Sequence, residues 1–267
     1  MRRPYLCFLA VSLIVGLPAA PSLAASVTLY QQDFEAPDGF VNGSGSGYDD
    51  LSQQSVNSLY HDQPTGFEFA QTFTVETMLL TGTQAFGTGY SDPGGTFGNY
   101  AVGMLCCAQN DLLGLSFDVG SYDFFNFRID VSSIGVSGGP GSPFASVDDI
   151  PWFEFRLYDN PGGGATTGGG LLLDEGDLYG TASALDVVDP TRGTFAFDAS
   201  GSTDGNVTLQ INLRLGGYAI FDNLLITASD EAGGGLGDGD PGVVPLPASL
   251  PLLLAGLGAV GLIRRRR

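Results

Sequence analysis

Two stretches decide the fold, Trp152-Phe-Glu-Phe-Arg-Leu-Tyr158 and Val207-Thr-Leu-Gln-Ile-Asn-Leu-Arg-Leu215. In the first, Phe153, Phe155 and Leu157 share one face and Glu154 and Arg156 the other. In the second, Leu209, Ile211 and Leu213 oppose Gln210, Asn212 and Arg214. A period of two places alternate side chains on opposite faces of a strand. One dry and one wet face is the signature of antiparallel sheet. Similar runs predict strands at Val27–Phe34, Phe67–Val75, Tyr100–Cys106, Leu113–Val119, Phe124–Val131, Gly193–Asp198 and Tyr218–Thr227. Turn formers separate them, among them Asp92-Pro-Gly-Gly95, Gly138-Gly-Pro-Gly141 and Asp159-Asn-Pro-Gly-Gly163. No stretch between the two chain ends sustains a helical period. The expectation is an all-β domain, a two-sheet antiparallel β-sandwich of jelly-roll type.

Composition narrows what such a domain does. All 29 acidic residues fall in 25–243, where only Arg128, Arg156, Arg192 and Arg214 oppose them, a formal charge of −25. That surface repels phosphate backbones, so no nucleic-acid partner is expected. The chain has no lysine, which removes Walker A loops and Schiff-base chemistry. The glycine clusters at 162–164 and 168–170 are therefore read as loop glycines. The single histidine, His61, excludes a multi-histidine zinc site and sits in a turn-like segment without a nucleophile elbow. Adjacent acids such as Asp49-Asp50, Asp148-Asp149 and Asp174-Glu175 are read as solvated or cation-collecting rather than catalytic. Cys106 and Cys107 are adjacent. In an exported protein they could form a vicinal disulfide; two free thiols or an intermolecular bridge are the alternatives. Trp152, the one tryptophan, opens an alternating strand and is expected at a core or rim position. Tyr48, Tyr60, Tyr90 and Tyr179 are read as loop tyrosines.

The ends carry the address. Met1-Arg2-Arg3, an apolar run from Leu6 to Leu17 and Ser22-Leu23-Ala24 make a signal peptide over 1–24 of the general secretory (Sec) type. Pro4 and Tyr5 fit a twin-arginine signal poorly. The domain is expected over 25–229 and a Gly/Asp-rich linker over 230–243. The segment 244–267 joins Val244-Pro245-Leu246-Pro247-Ala248, an uncharged run to Ile263 and Arg264-Arg265-Arg266-Arg267. About 16 helical residues span roughly 24 Å, and snorkelling arginine stems close most of the gap to a ~30 Å hydrocarbon core. A signal helix and a transmembrane helix should thus flank the sandwich, with the arginine block as the cytoplasmic stop.

This tripartite end resembles the PEP-CTERM sorting signals, in the variant that reads VPLPA. The resemblance implies a membrane-embedded exosortase as partner, cleavage near 244–248, and delivery to the cell surface or extracellular matrix. A second resemblance rests on Asp33-Phe34-Glu35 and on Tyr218-Ala-Ile-Phe-Asp222-Asn223-Leu-Leu-Ile226. These look like the first and last strands of carbohydrate-binding modules and concanavalin-like jelly rolls. The resemblance implies a structural calcium ion, with Glu35 and Asp222 as ligands and Asp33 in reserve. Three functions follow as expectations: a non-enzymatic surface or matrix protein touching exopolysaccharide, a calcium-stabilised carbohydrate-binding module, or an extracellular polysaccharide hydrolase.

Overall fold

The computed structural model of the chain describes residues 25–38, 67, 69–72, 75–81, 90–105, 111–134, 150–182, 184 and 186–237. The signal peptide, the sorting segment 244–267, Cys106, Cys107, His61, Tyr48 and Tyr60 lie outside the described residues. Eleven strands are described. They are β1 (Ser26–Gln32), β2 (Phe69–Gln71), β3 (Glu76–Leu79), β4 (Tyr100–Leu105), β5 (Leu112–Asp118), β6 (Phe124–Ser133), β7 (Trp152–Asp159), β8 (Leu172–Tyr179), β9 (Thr191–Asp198), β10 (Asn206–Leu215) and β11 (Tyr218–Ser229).

Two sheets result, and every strand ladder is antiparallel. One runs β2-β5-β10-β7-β8. The other runs β3-β4-β11-β6-β9, with β1 also on β11. The chain changes sheet at most of its connections, and no described residue is helical. The expected all-β sandwich is what forms.

Sequence alternation builds the core directly. Phe153, Phe155 and Leu157 of β7, Leu209, Ile211 and Leu213 of β10, and Leu113 and Leu115 of β5 are buried. They meet Phe125, Phe127, Ile129 and Val131 of β6 in one cluster. Phenylalanine rings carry much of it: Phe127 lies 5.1 Å from Phe155 across the gap and 4.7 Å from its cross-strand neighbour Phe195. Each fully buried side chain of this size contributes about 1.5–3 kcal/mol relative to exposure.

Strand β11 is the exception to simple alternation. Ala219 and Phe221 face the core, and so do Leu224, Ile226 and Ala228. The parity switches between Phe221 and Leu224. The cause is a bulge at Asp222-Asn223, where the register with β6 slips and Asn223 takes φ 53°. One extra residue turns every later side chain over. The same break divides one edge of β11: β4 pairs with 218–221 and β1 with 224–229.

The expected linker begins later than the sequence indicates. Residues 230–237 fold back over the outer side of β11 and β6. Gly234 O accepts from Thr227 Oγ1 at 2.6 Å and Asn126 Nδ2 at 3.3 Å. Gly233 N donates to Asn126 Oδ1 at 2.7 Å. Arg128 Nη1 holds the carbonyls of Leu236 and Gly237 at 3.1 and 3.2 Å, and Leu236 is buried. Glycine supplies the left-handed turns at Gly233, Gly235 and Gly237, while buried polar groups on β6 and β11 satisfy the backbone.

Candidate functional site

Two regions carry polar chemistry, one on each sheet. The first is the β11 bulge, where β1 ends. The resemblance placed Asp33, Glu35 and Asp222 here as calcium ligands, and the structure does bring them to one neighbourhood. It does not converge them. Among the described residues no three Asp, Glu, His or Cys side chains stand close enough to hold an ion. Each carboxylate is committed elsewhere. Glu35 Oε1 accepts from Asn99 N at 2.7 Å and Tyr100 N at 2.9 Å, and Oε2 from Asn99 Nδ2 at 3.1 Å. Asp33 Oδ1 accepts from Glu35 N. Asp222 is buried, and burial pushes its carboxyl up to about 9, against the pull of the Asn223 backbone N–H. The neighbouring charges of Glu35, Asp33 and Asp130 push the same way. At neutral pH Asp222 carries a proton. The described side chains thus do not by themselves assemble the calcium shell that the resemblance implied.

Asp130, opposite Asp222 on β6, has its own cation. Arg192 Nε and Nη2 grip its two oxygens at 2.8 and 2.7 Å, a two-pronged pair. Between the bulge and the 230–237 strap lies a cavity of about 310 Å³ lined by Gln31, Gln32, Asp33, Arg128, Asn223 and Leu225.

The second region is the outer face of the five-stranded sheet. Cross-strand register sets Leu215, Trp152 and Tyr179 side by side on β10, β7 and β8. Arg214 occupies a bulge next to Leu215 and places its guanidinium carbon 5.9 Å from the Trp152 ring centroid. Tyr179 stacks on Trp152 at 5.7 Å and 14°. The indole N–H donates to Asp177 Oδ1 at 2.8 Å, which fixes the ring. Tyr179 is 56 % exposed, and Ile150 and Leu215 are 50 % exposed.

One step along each strand the row turns polar. Asn212 Nδ2 donates to Glu154 Oε2 at 3.3 Å, while the buried Asn212 Oδ1 has no partner among the described residues. Arg156 bridges Glu154 at 2.9 Å and Glu175 at 3.3 Å. The β5 side of this face is closed by residues 160–170. Ser116 Oγ and Asn160 Nδ2 hold Gly164 O, and Gln210 Nε2 bonds Thr167 O. A Cβ on Gly114 would run into the Thr166 carbonyl, so glycine is what lets the loop lie flat. Among the described residues nothing covers the β7–β8 half. That half is an aromatic shelf next to a row of hydrogen-bonding groups, the makings of a saccharide surface.

Sequence reading placed Trp152 at a core or rim position, and it lies partly buried on the outer face. It placed Tyr179 in a loop; Tyr179 ends a strand. Tyr90 lies outside the strands, as read, and is buried. Tyr179 could have been found from Leu172–Tyr179, whose alternation is broken by acids and Gly176.

Comparison with known proteins bears on the end of the chain first. Residues 243–267 match the PEP-CTERM protein-sorting motif. The motif indicates a C-terminally anchored protein sorted to the cell surface. No curated protein matches the chain. Several solved structures are similar in fold. One is the K3 cleaved adhesin domain of Lys-gingipain from Porphyromonas gingivalis, at TM-score 0.39 and 9 % identity over 75 % of this chain and 98 % of that one. Another is the Clostridium thermocellum xylanase 10B CBM22-1–GH10 modules with xylohexaose, at 0.38 and 12 %, covering 75 % of this chain and 28 % of that one. A third is TmCBM61 with β-1,4-galactotriose, at 0.33 and 9 %, covering 61 % and 88 %. At such values the likeness concerns the sandwich alone.

Proposed function

We propose that this protein is exported by the Sec route, processed at 244–248 by an exosortase-type membrane enzyme, and displayed as a non-enzymatic binder of neutral exopolysaccharide. The observation that carries the binding half is the Arg214–Trp152–Tyr179 stack beside Asp177, Glu154 and Asn212. A pyranose ring offers an apolar C–H face and a rim of hydroxyls. Tyr179, more than half exposed at the sheet edge, takes the C–H face, and the adjacent carboxylates and amide take the hydroxyls. Three carboxylates against two arginines make this face net negative, which favours an uncharged glycan. Its acids are tied to Arg156, Arg214, Asn212 and the Trp152 indole, an arrangement for holding rather than for proton transfer.

The test is calorimetric titration of the full chain, in detergent, with neutral oligosaccharides chosen from a glycan array. Tyr179→Ala should weaken binding by roughly tenfold or more, the usual size of a central aromatic contact, without moving the melting temperature. Absence of any neutral glycan from the array, or binding that ignores Tyr179→Ala and Trp152→Ala alike, would sink the reading. The processing half is read separately, by mass spectrometry of the protein from its own envelope. Intact ends there would refute it.

A further inference from the structure

The cavity on the opposite sheet, at the β11 bulge, is not used by this reading. Arg128 is its one cation. Arg156, Arg192 and Arg214 each stand within 4 Å of a carboxylate, whereas Arg128 has no carboxylate partner among the described residues. In a domain with 29 acids that is unusual. Its Nη1 is fixed by the Leu236 and Gly237 carbonyls. Its Nε is buried and donates to no described residue. Two residues away on the same strand, the Asp130–Arg192 pair shows what the Nε–Nη2 edge of an arginine does here: it grips a carboxylate two-pronged. The same edge of Arg128 has no such ligand among the described residues, and the strap holds the guanidinium through Nη1 alone. Buried donors without partners are rare and call for an acceptor.

We infer that this cavity is a second binding site, for a carboxylate-bearing sugar, a hexuronate. Its volume, about 310 Å³, is at the lower end of the range of small-molecule sites, so it takes one or two sugar rings rather than a long chain. The uronate carboxylate meets the free edge of Arg128 after a small shift of the side chain that uncovers Nε. Gln31, Asp33 and Asn223 surround it with hydroxyl partners. A peptide carboxylate would fit less well, because the lining offers little apolar surface and Asp33 repels a second acid. The site is independent of the aromatic shelf: it lies on the other sheet and takes a charged sugar.

The field of the domain gives this site a signature. Its net negative charge repels any anion at long range, and salt screens that repulsion over about 8 Å at 0.15 M. Uronate binding should therefore hold or strengthen from 20 mM to 150 mM salt, the opposite of binding to a basic patch. The experiment is titration of the full chain in detergent with tri-galacturonate and, as reference, uncharged galactotriose, on a background of Tyr179→Ala to silence the shelf. Saturable binding of the acid trimer alone is expected. Arg128→Gln should lower its affinity at least tenfold, the scale of a lost charge-assisted pair. Because Arg128 also holds the strap, two further variants keep the test clean. Gln31→Ala, at an exposed position, should weaken binding a few-fold. Asp33→Asn, which keeps the acceptor for Glu35 N, should strengthen it a few-fold by removing a like charge. No saturable binding, equal binding of the neutral trimer, or indifference to Arg128→Gln would overturn the inference. So would weaker binding in Asp33→Asn.

Discussion

The two sheets treat their outer faces differently. On the five-stranded sheet no described residue covers the β7–β8 half, and the side chains there are tied to one another across strands. On the six-stranded sheet the outer face is covered at both ends. Tyr90, Phe97 and Val188 from the loops pack with Tyr218 and Ile220 in a second apolar cluster at one end. The strap 230–237 covers the other. What remains uncovered is the bulge between them. The difference teaches that polar residues on an outward strand face have two fates. On β7 and β8 they make a surface; on β6 and β11 they are buried as fasteners, as Asn126, Thr227 and Ser229 are.

The largest blow to this contrast should come from the bulge. Deleting Asp222 together with Asn223 removes the bulge and one residue more, so that strict alternation after Phe221 turns Leu224, Ile226 and Ala228 outward. Losing three core positions should abolish the cooperative transition, read by circular dichroism. A residual sharp melt would show that β11 can slide back into register.

Next comes the pH dependence of Asp222. Its folded pKa, about 9, lies above the ordinary carboxyl value, so the folded state binds the extra proton. That contribution is fully present below about pH 4 and is lost as pH rises through 9. Asp222→Asn should therefore gain on the native protein as pH rises over that window, by up to about 1.4 kcal/mol per unit. Denaturant midpoints at pH 5, 7 and 9 would check it, and a constant difference would contradict it.

Asn126→Ala should cost about 1–3 kcal/mol, because it leaves buried backbone groups of the strap unpaired. Limited proteolysis should then cut within 230–237, where the native protein is expected to resist. If stability falls and cleavage does not appear, Asn126 serves the sheet and not the strap. The smallest effect is expected from calcium. Excess calcium or EDTA should leave the melting midpoint of the full chain unchanged, since an ion bound only by the folded state would raise it. A calcium-dependent rise would restore the ligand set inferred from resemblance.

Much of this was legible beforehand, for physical reasons. Strands that face a core on one side announce themselves, as β7 and β10 do. Edge strand β8 did not: with Leu172 and Tyr179 exposed and Gly176 in the middle, it has no dry face to read. The neighbourhood of Asp33, Glu35 and Asp222 was found from a short motif, but its chemistry was not. Whether a carboxylate holds an ion, a proton or an N–H depends on partners such as Asn99 and Tyr100, some 65 residues away in the chain. Arg128 gave no signal at all, because its distinction is a missing partner.

The clasp made by Asn126, Thr227 and Arg128 also redraws a boundary. A fragment trimmed after Ser229, where the glycines start, would strip the cover from buried amides and hydroxyls and leave them wet. A fragment that keeps the clasp must reach at least Gly237, whose carbonyl Arg128 holds. Eight of the fourteen residues read as linker, 230–237, therefore belong to the folded domain.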